Sequence, residues 1–378
     1  MEKIPVGVLG ATGTVGQRLV SILSAHPWFE LVFLGASERS RGRAYGEAVR
    51  WSLPEALPRS AASLPVGEVL PPQAGGPSAS GEAPRLVFSA LDAAVAMDAE
   101  EAWARAGVLV ASNASAKRMR ADVPLVVPEL NPDHLALLAS QGYPEGGGIV
   151  TNPNCSTIGL VLALKPLWDA FGIEACAVTT LQAASGAGYP GVPSLDLIDN
   201  AIPYIGGEED KLEREPAKIL GELVQDKREA GSSSPRVREA ELAVSAACHR
   251  VAVRDGHLAS VSVRLGKAAG AGDIMAAWQG FRGAVADLGL PASPERPLEY
   301  LDGPDRPQPV LDRMRGAGMT VSLGRLRPCA ALGWKFELLS HNTLRGAAGG
   351  TVLLAELCAA LGYVRGFKAI APSAAPAH

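Results

Sequence analysis

IPVGVLGATGTVGQRLVSILSAHPWF occupies residues 4–29. IPVGVLG (4–10) is a short apolar run of strand character. Beyond a glycine turn, Leu19, Val20, Ile22 and Leu23 recur at helical spacing and share one face. A second apolar run, ELVFLGAS (30–37), follows. Strand, glycine turn, helix, strand is the opening βαβ unit of a doubly wound α/β sheet. The turn GATGTVG spaces Gly10, Gly13 and Gly16 as GxxGxxG. Small residues let backbone approach a pyrophosphate, and the helix end offers free N–H groups and a positive dipole. Gly10, Thr12, Gly13, Thr14, Val15 and Gly16 are therefore candidate dinucleotide contacts. A glycine turn that only joins strand to helix is the structural alternative.

The end of the second strand refines the cofactor. An NAD site usually places Asp or Glu there for the ribose hydroxyl. Here ASERSRG offers Ser37, Arg39 and Ser40, with Arg41 and Arg43 close behind. Hydroxyls and a guanidinium suit a 2′-phosphate, which favours NADP. Glu38 opposes that reading if it faces inward, and a solvated basic turn is the alternative. RLVFSAL (85–91) and VLVASNA (108–114) are further strands flanking a helical DAAVAMDAEEAWARAG. Ser89 is a candidate on the cofactor side. Residues 53–84, rich in Pro, Gly, Ala and Ser, read as a long surface excursion.

Past residue 155 the pattern changes to longer Val- and Thr-rich runs at 174–185, 241–266 and 320–328. These imply an α+β domain with an antiparallel or mixed sheet. A helix is expected after the glycine cluster in 342–364, then a disordered tail. The resulting division is 1–152 as dinucleotide-binding domain, 153–341 as a second domain, a final helix at 342–366, and 367–378 as tail.

The chain has 378 residues and a formal net charge of −4, enough for two domains and without a nucleic-acid footprint. No apolar run approaches a membrane span. The start MEKIPVGVLG enters a strand directly, without a signal-peptide pattern. The Asn113 and Asn154 glycosylation patterns are read as chance without a secretory signal. The five cysteines form no CxxC or CxxH pairing, so neither a metal site nor a disulfide framework is expected. A reducing, cytoplasmic setting follows.

Cys176, Cys248, Cys329 and Cys358 read as small buried hydrophobes. Cys155 differs, because the polar turn Asn152-Pro153-Asn154 holds it at the mouth of a helix that Ser156 and Thr157 can cap. A helix dipole stabilises a thiolate there and lowers its pKa. Nucleophile and buried hydrophobe both remain open on that ground. Pro166 is expected to kink or end this helix.

NPNCST (152–157) resembles the active-site motif of aspartate-β-semialdehyde dehydrogenases, more the archaeal and fungal branch than the classical bacterial one. GATGTVG, ASERSRG, LQAASGAGYPG, GEEDKLERE, HRVAVRDGH and SHNTLRGAAGG follow in that family's order. The resemblance implies Cys155 as nucleophile forming a thioester and His257 as acid/base. It implies Gln182 as orienting the acyl group and Arg250 as binding substrate. Glu208 would hold the substrate ammonium, with Lys211 assisting at its carboxylate or phosphate. Arg118 would bind phosphate, with Asn113 beside it; Lys117 and Arg120 compete by register. Asn154 is a candidate oxyanion donor, and Ser185, Gly186, Gly188 and Asn342 lie on the cofactor side. Arg250 and His257 on one strand would face opposite ways, so RDG is expected to bend the chain.

Implied is NADPH-dependent conversion of L-4-aspartyl phosphate to aspartate 4-semialdehyde, on the route to lysine, threonine and methionine, by a homodimer or homotetramer. His249 stands where many relatives have asparagine and acyl-CoA-reducing relatives have histidine. That keeps a malonyl-CoA or other acyl-CoA reductase as one rival. A non-catalytic NADP-binding sensor is the other.

Overall fold

A computed structural model describes residues 2–72, 82–227 and 233–367. Strands β1 (Ile4–Leu9), β2 (Phe29–Gly35), β3 (Val66–Gly67), β4 (Leu86–Ser89), β5 (Leu109–Ser112) and β6 (Gly148–Thr151) pair in the order β3-β2-β1-β4-β5-β6, all parallel. Helix α1 (Thr14–Leu23) links β1 to β2, and α2 (Ala93–Arg105) links β4 to β5. Every residue of β1, β4, β5 and β6 is buried, as expected of parallel strands covered on both faces. The 53–84 excursion is more than surface chain. It supplies β3 at the sheet edge, and Ala61 and Leu64 pack into the core. Residues 73–81 of it lie outside the described residues.

The second half begins with α3 (Cys155–Phe171), then β7 (Ile173–Gln182), β8 (Ala201–Ile202), α4 (Glu208–Ile219) and the hairpin β9 (Glu222–Lys227) with β10 (Ser233–Arg238). There follow β11 (Ala243–Val251), β12 (His257–Leu265), α5 (Ala271–Gln279), β13 (Leu298–Leu301), β14 (Val321–Cys329), β15 (Gly333–Ser340) and α6 (Gly349–Ala360). Seven strands form a mixed sheet ordered β13-β14-β15-β12-β7-β11-β8. Along β7, Cys176, Val178, Thr180 and Gln182 are buried while Glu174, Ala177, Thr179 and Leu181 are exposed. One face packs on α3 through Ile158, Val161, Val178, Val261 and Phe336, and the other is open.

Four expectations change. The run 241–266 is two strands, so Arg250 and His257 sit on different ones, β11 and β12. Helix α3 continues through Pro166, because its buried apolar flanks, with Trp278 Nε1 donating to the Ala163 carbonyl at 2.9 Å, outweigh the lost backbone bond. The glycines of GAAGG lie inside the last helical run, a π-turn (Leu344–Ala348) leading into α6. Cys329 is only half-buried, at the end of β14, unlike the buried Cys176, Cys248 and Cys358. All twelve residues of α6 are buried, packed against α1 and β5 of the first sheet. The tail beyond residue 367 lies outside the described residues. Among the described residues no helix is long and apolar enough to cross a membrane.

Candidate active site

Parallel β11 and antiparallel β12 flank β7, so the end of one and the start of the other meet at the C-terminal end of β7. This brings Gln182, Arg250 and His257 together, all buried. The N-terminus of α3 points to the same place. Asn154 caps it: its Oδ1 accepts from the Ser156 and Thr157 N–H groups at 2.9 and 3.4 Å. Cys155 Sγ lies 3.4 Å from His257 Nε2. His257 Nδ1 accepts the Ala183 N–H at 3.0 Å, so the neutral ring carries its proton on Nε2, toward the sulfur.

The thiol does not have the low pKa expected of a helix end. Burial pushes it up to about 12, aided by the Glu208 carboxylate, against the pull of Arg118, Arg250 and Lys211. Burial, with Arg250 nearby, pushes His257 down to about 3. A histidine with a depressed folded pKa contributes stability above its unfolded value near 6.5, and that stability is lost as pH falls toward the folded value. His341, pushed down to about 4 mainly by burial, acts the same way. Wild-type Tm should therefore fall as pH drops from 7 to 5, less steeply in His257→Gln. Equal slopes in thermal melts of the two proteins would contradict a neutral buried His257.

Glu208 opens α4 and accepts from Asn154 Nδ2 at 3.0 and 2.9 Å, from Lys211 Nζ at 2.8 Å and from Gln182 Nε2 at 3.3 Å. Burial opposes its charge, but these partners outweigh it and hold the carboxyl below its usual range. Glu209 instead accepts the Cys248 N–H, while Glu208 lines the cavity. Arg118 faces the cavity; Lys117 is buried on the Ala96 and Met97 carbonyls, and Arg120 pairs with Asp122. Arg250 Nη1 donates to the Ala183 carbonyl at 2.8 Å. Asn154 is committed elsewhere: Nδ2 to Glu208, and its N–H to Glu215 Oε2 at 2.7 Å. Both donor groups of Asn154 thus already face carboxylates, and the Cys155 N–H is a further helix-end donor beside the thiol.

A cavity of about 300 Å³ joins Val15, Asn113, Arg118, Asn154, Cys155, Ser185, Gly186, Gly188, Glu208 and Asn342. Gly186 sits so close that a Cβ there would lie 2.7 Å from Arg250 Nη1 and 3.1 Å from His257 Nε2. Asn342 Oδ1 accepts the Gly256 N–H at 2.9 Å, and its Nδ2 donates to Ser185 Oγ at 2.8 Å. Asn113 Oδ1 accepts from Asn152 and Thr351, while its Nδ2 has no partner among the described residues. His249 alternates with Arg250 along β11, on the other face of the sheet from the cavity.

The glycine turn fits a dinucleotide. Gly10 has φ +78°, and a Cβ on Gly16 would lie 2.2 Å from the Gly10 carbonyl oxygen, so helix and turn pack as only glycine allows. Gly13 is exposed above them, next to half-buried Thr12 and Thr14 at the start of α1. Exposed Ser37 and Arg39 and buried Ser40 follow β2, and Ser89 is buried at the end of β4. Glu38 is exposed in the same turn. The sequence reading missed Glu215, which grips both Arg118 and Asn154. Its position seven residues after Glu208, on the same helix face, was the available signal.

A Rossmann-type sheet whose cavity is lined by a thiol, a carboxylate and a guanidinium, with His257 3.4 Å behind the thiol, defines a dinucleotide-linked dehydrogenase. Residues 5–138 match the model for the semialdehyde dehydrogenase NAD-binding domain, and 164–345 that for the semialdehyde dehydrogenase dimerisation domain. The chain belongs to the aspartate-semialdehyde dehydrogenase family, in company with archaeal and fungal members. It is 47% identical over 357 residues to the aspartate-semialdehyde dehydrogenase of Archaeoglobus fulgidus, covering 94% of this chain and 98% of that one. It is 46% identical over 363 residues to that of Saccharomyces cerevisiae, covering 93% and 96%. The crystal structure of the Candida albicans enzyme with NADP superposes with a TM-score of 0.82 at 43% identity, covering 94% of this chain and 98% of that one.

Proposed function

We propose that the protein is an aspartate-semialdehyde dehydrogenase, reducing L-4-aspartyl phosphate with NADPH to L-aspartate 4-semialdehyde and phosphate in lysine, threonine and methionine biosynthesis. The observation that carries this assignment is the 3.4 Å pairing of Cys155 Sγ with His257 Nε2 beside Glu208, Arg118 and Arg250. Aspartyl phosphate presents an ammonium, a carboxylate and a phosphate. Glu208, Arg250 and Arg118 with Lys211 complement them in turn.

Cys155 Sγ attacks the acyl carbon as its proton passes to the departing phosphate; the S–C bond forms and the C–O bond to phosphate breaks. Bound NADPH supplies the hydride that takes the thioester to the aldehyde level. When the C–S bond breaks, His257 Nε2–H donates a hydrogen bond that stabilises the departing thiolate, which takes up its proton from solvent. Gln182 steadies Glu208 and the acyl group, and the Cys155 N–H faces the developing oxyanion. Gly10, Thr12, Gly13, Thr14, Val15 and Gly16 hold the pyrophosphate, Ser37, Arg39 and Ser40 the 2′-phosphate. Ser89, Asn113, Ser185, Gly186, Gly188 and Asn342 line the nicotinamide side.

Residues 1–152 with 342–366 form the cofactor domain and 153–341 the catalytic one. The exposed face of β7 and its neighbours is the surface by which a homodimer, or a homotetramer, assembles. The setting is cytoplasmic.

NADP+ reduction by aspartate semialdehyde tests the assignment. Turnover should require inorganic phosphate; phosphate-independent turnover, or activity only with an acyl-CoA and NADPH, would overturn it. Arg39→Ala should raise the NADP+ KM about 10- to 100-fold, the loss of a charge-assisted contact of roughly 1.5–3 kcal/mol, and leave NAD+ kinetics unchanged. An equal loss with both cofactors in steady-state assays would remove Arg39 from the 2′-phosphate site.

A further inference from the structure

The face of α4 that carries Glu208 continues into the protein. Glu215 stands two turns on and is only 2% exposed. Its oxygens are divided: Oε1 accepts from Arg118 Nη1 at 2.9 Å, and Oε2 accepts the Asn154 N–H at 2.7 Å. The other terminal nitrogen of Arg118, Nη2, donates to the Asn113 carbonyl at 2.6 Å. Lys218, three residues further and also buried, donates to the carbonyls of Arg118, Arg120 and Val123 at 2.7, 2.7 and 2.8 Å. One helix face thus fixes both the guanidinium and the backbone of Arg118. Arg118 lines the cavity and Glu215 does not. Each terminal nitrogen keeps a second N–H beyond the bond that ties it back, so the tethered guanidinium still has donors for a ligand in the cavity that Arg118 lines.

A carboxylate touching an anion-binding arginine repels the anion as well as orienting the arginine. Which effect dominates decides what Glu215 is for. The bridge favours orientation, because the group Glu215 grips with its second oxygen is the backbone N–H of the residue next to Cys155. The distance between guanidinium and nucleophile is therefore set through a single side chain.

We propose that Glu215 is a positioning residue for the phosphate half of the reaction: it holds Arg118 at a fixed place relative to Cys155 so that the guanidinium serves the phosphoryl group. This inference rests on the acyl-phosphate assignment above. It assigns Glu215 no contact with substrate. A merely neutralising Glu215 predicts the opposite sign, since removing its charge would tighten phosphate binding.

The test is phosphate-dependent NADP+ reduction by the full-length protein, wild type against Glu215→Gln. The amide can still accept the Asn154 N–H, but it turns a donor toward Arg118. Expected is a rise of about 10- to 100-fold in the phosphate KM, as for loss of a charged hydrogen bond, with the KM values for semialdehyde and NADP+ within about 2-fold. In an Arg118→Gln background Glu215→Gln should add less than about 2-fold, because coupled residues are not additive. A lower or unchanged phosphate KM, or effects that multiply across the double variant, overturns the proposal. If Glu215→Gln does not fold, Glu215→Asp is read by the same criteria, with a smaller rise expected. Wild type that turns over without phosphate sinks the acyl-phosphate assignment and this inference together. A phosphate-dependent wild type with an unshifted variant sinks this inference alone.

Discussion

Cys155→Ala lowers phosphate-dependent NADP+ reduction by at least about 10⁴-fold, the scale on which removal of a covalent nucleophile acts. No other thiol replaces it. Cys176, Cys248 and Cys358 are buried in packed cores, and Cys329 lies at the end of β14, outside the cavity. Cofactor binding, read by quenching or enhancement of NADPH fluorescence, stays within about 2-fold, because the pyrophosphate cradle proposed above is the β1–α1 turn and not the helix that carries Cys155. The resting thiol is neutral, with burial holding its pKa up near 12. Its alkylation by iodoacetamide should accordingly climb about tenfold per pH unit between pH 6 and 9 in the ligand-free protein, since only the thiolate reacts. Residual turnover above about 1% in the alanine variant would remove Cys155 from the reaction path. A plateau in alkylation near pH 7 would show instead that the helix end outweighs desolvation.

The parts of this architecture written in local pattern were legible. The βαβ opening follows from apolar runs and glycine spacing, because a parallel strand buried on both faces needs little context to be recognised. Arg118, Glu208 and His257 reached the cavity region because each sits in a motif with its own spacing. What was not legible depends on partners distant in the chain. Pro166 looked like a kink or an early helix end, yet the Trp278 hydrogen bond and the core around α3, which carry the helix past it, come from elements some hundred residues away. The single long strand at 241–266 is two, because β7 accepts one neighbour on each edge, and only the assembled sheet shows this. The thiol's pKa was misjudged for the same reason: a helix dipole is local, whereas desolvation and the Glu208 charge belong to the closed cavity. Glycines 346, 349 and 350 looked like a loop preceding a helix and instead let that helix press against its neighbours.

That packing sets the second large effect. Arg345 is fully buried and Glu129 nearly so, joined by two hydrogen bonds of 2.6 Å. The next residue, Gly346, lies where a Cβ would come within 2.7 Å of the Cys155 Cβ and 2.9 Å of its Cα. The ion pair therefore anchors the π-turn that walls the nucleophile, and such turns are frequent at functional sites. Arg345→Met removes the cation and strands a carboxylate in the core, a change that typically costs about 3–5 kcal/mol. Urea denaturation should show that loss, with kcat falling as the turn loosens beside Cys155. Adding Glu129→Gln should restore most of the stability, because the penalty lies in the uncompensated charge more than in the lost bond. Restored stability with kcat still depressed would separate the two duties of the pair, fold and positioning. An Arg345→Met protein within about 1 kcal/mol of wild type would mean that water or a shifted side chain reaches Glu129, and that the turn beside the thiol is held by the glycine packing alone.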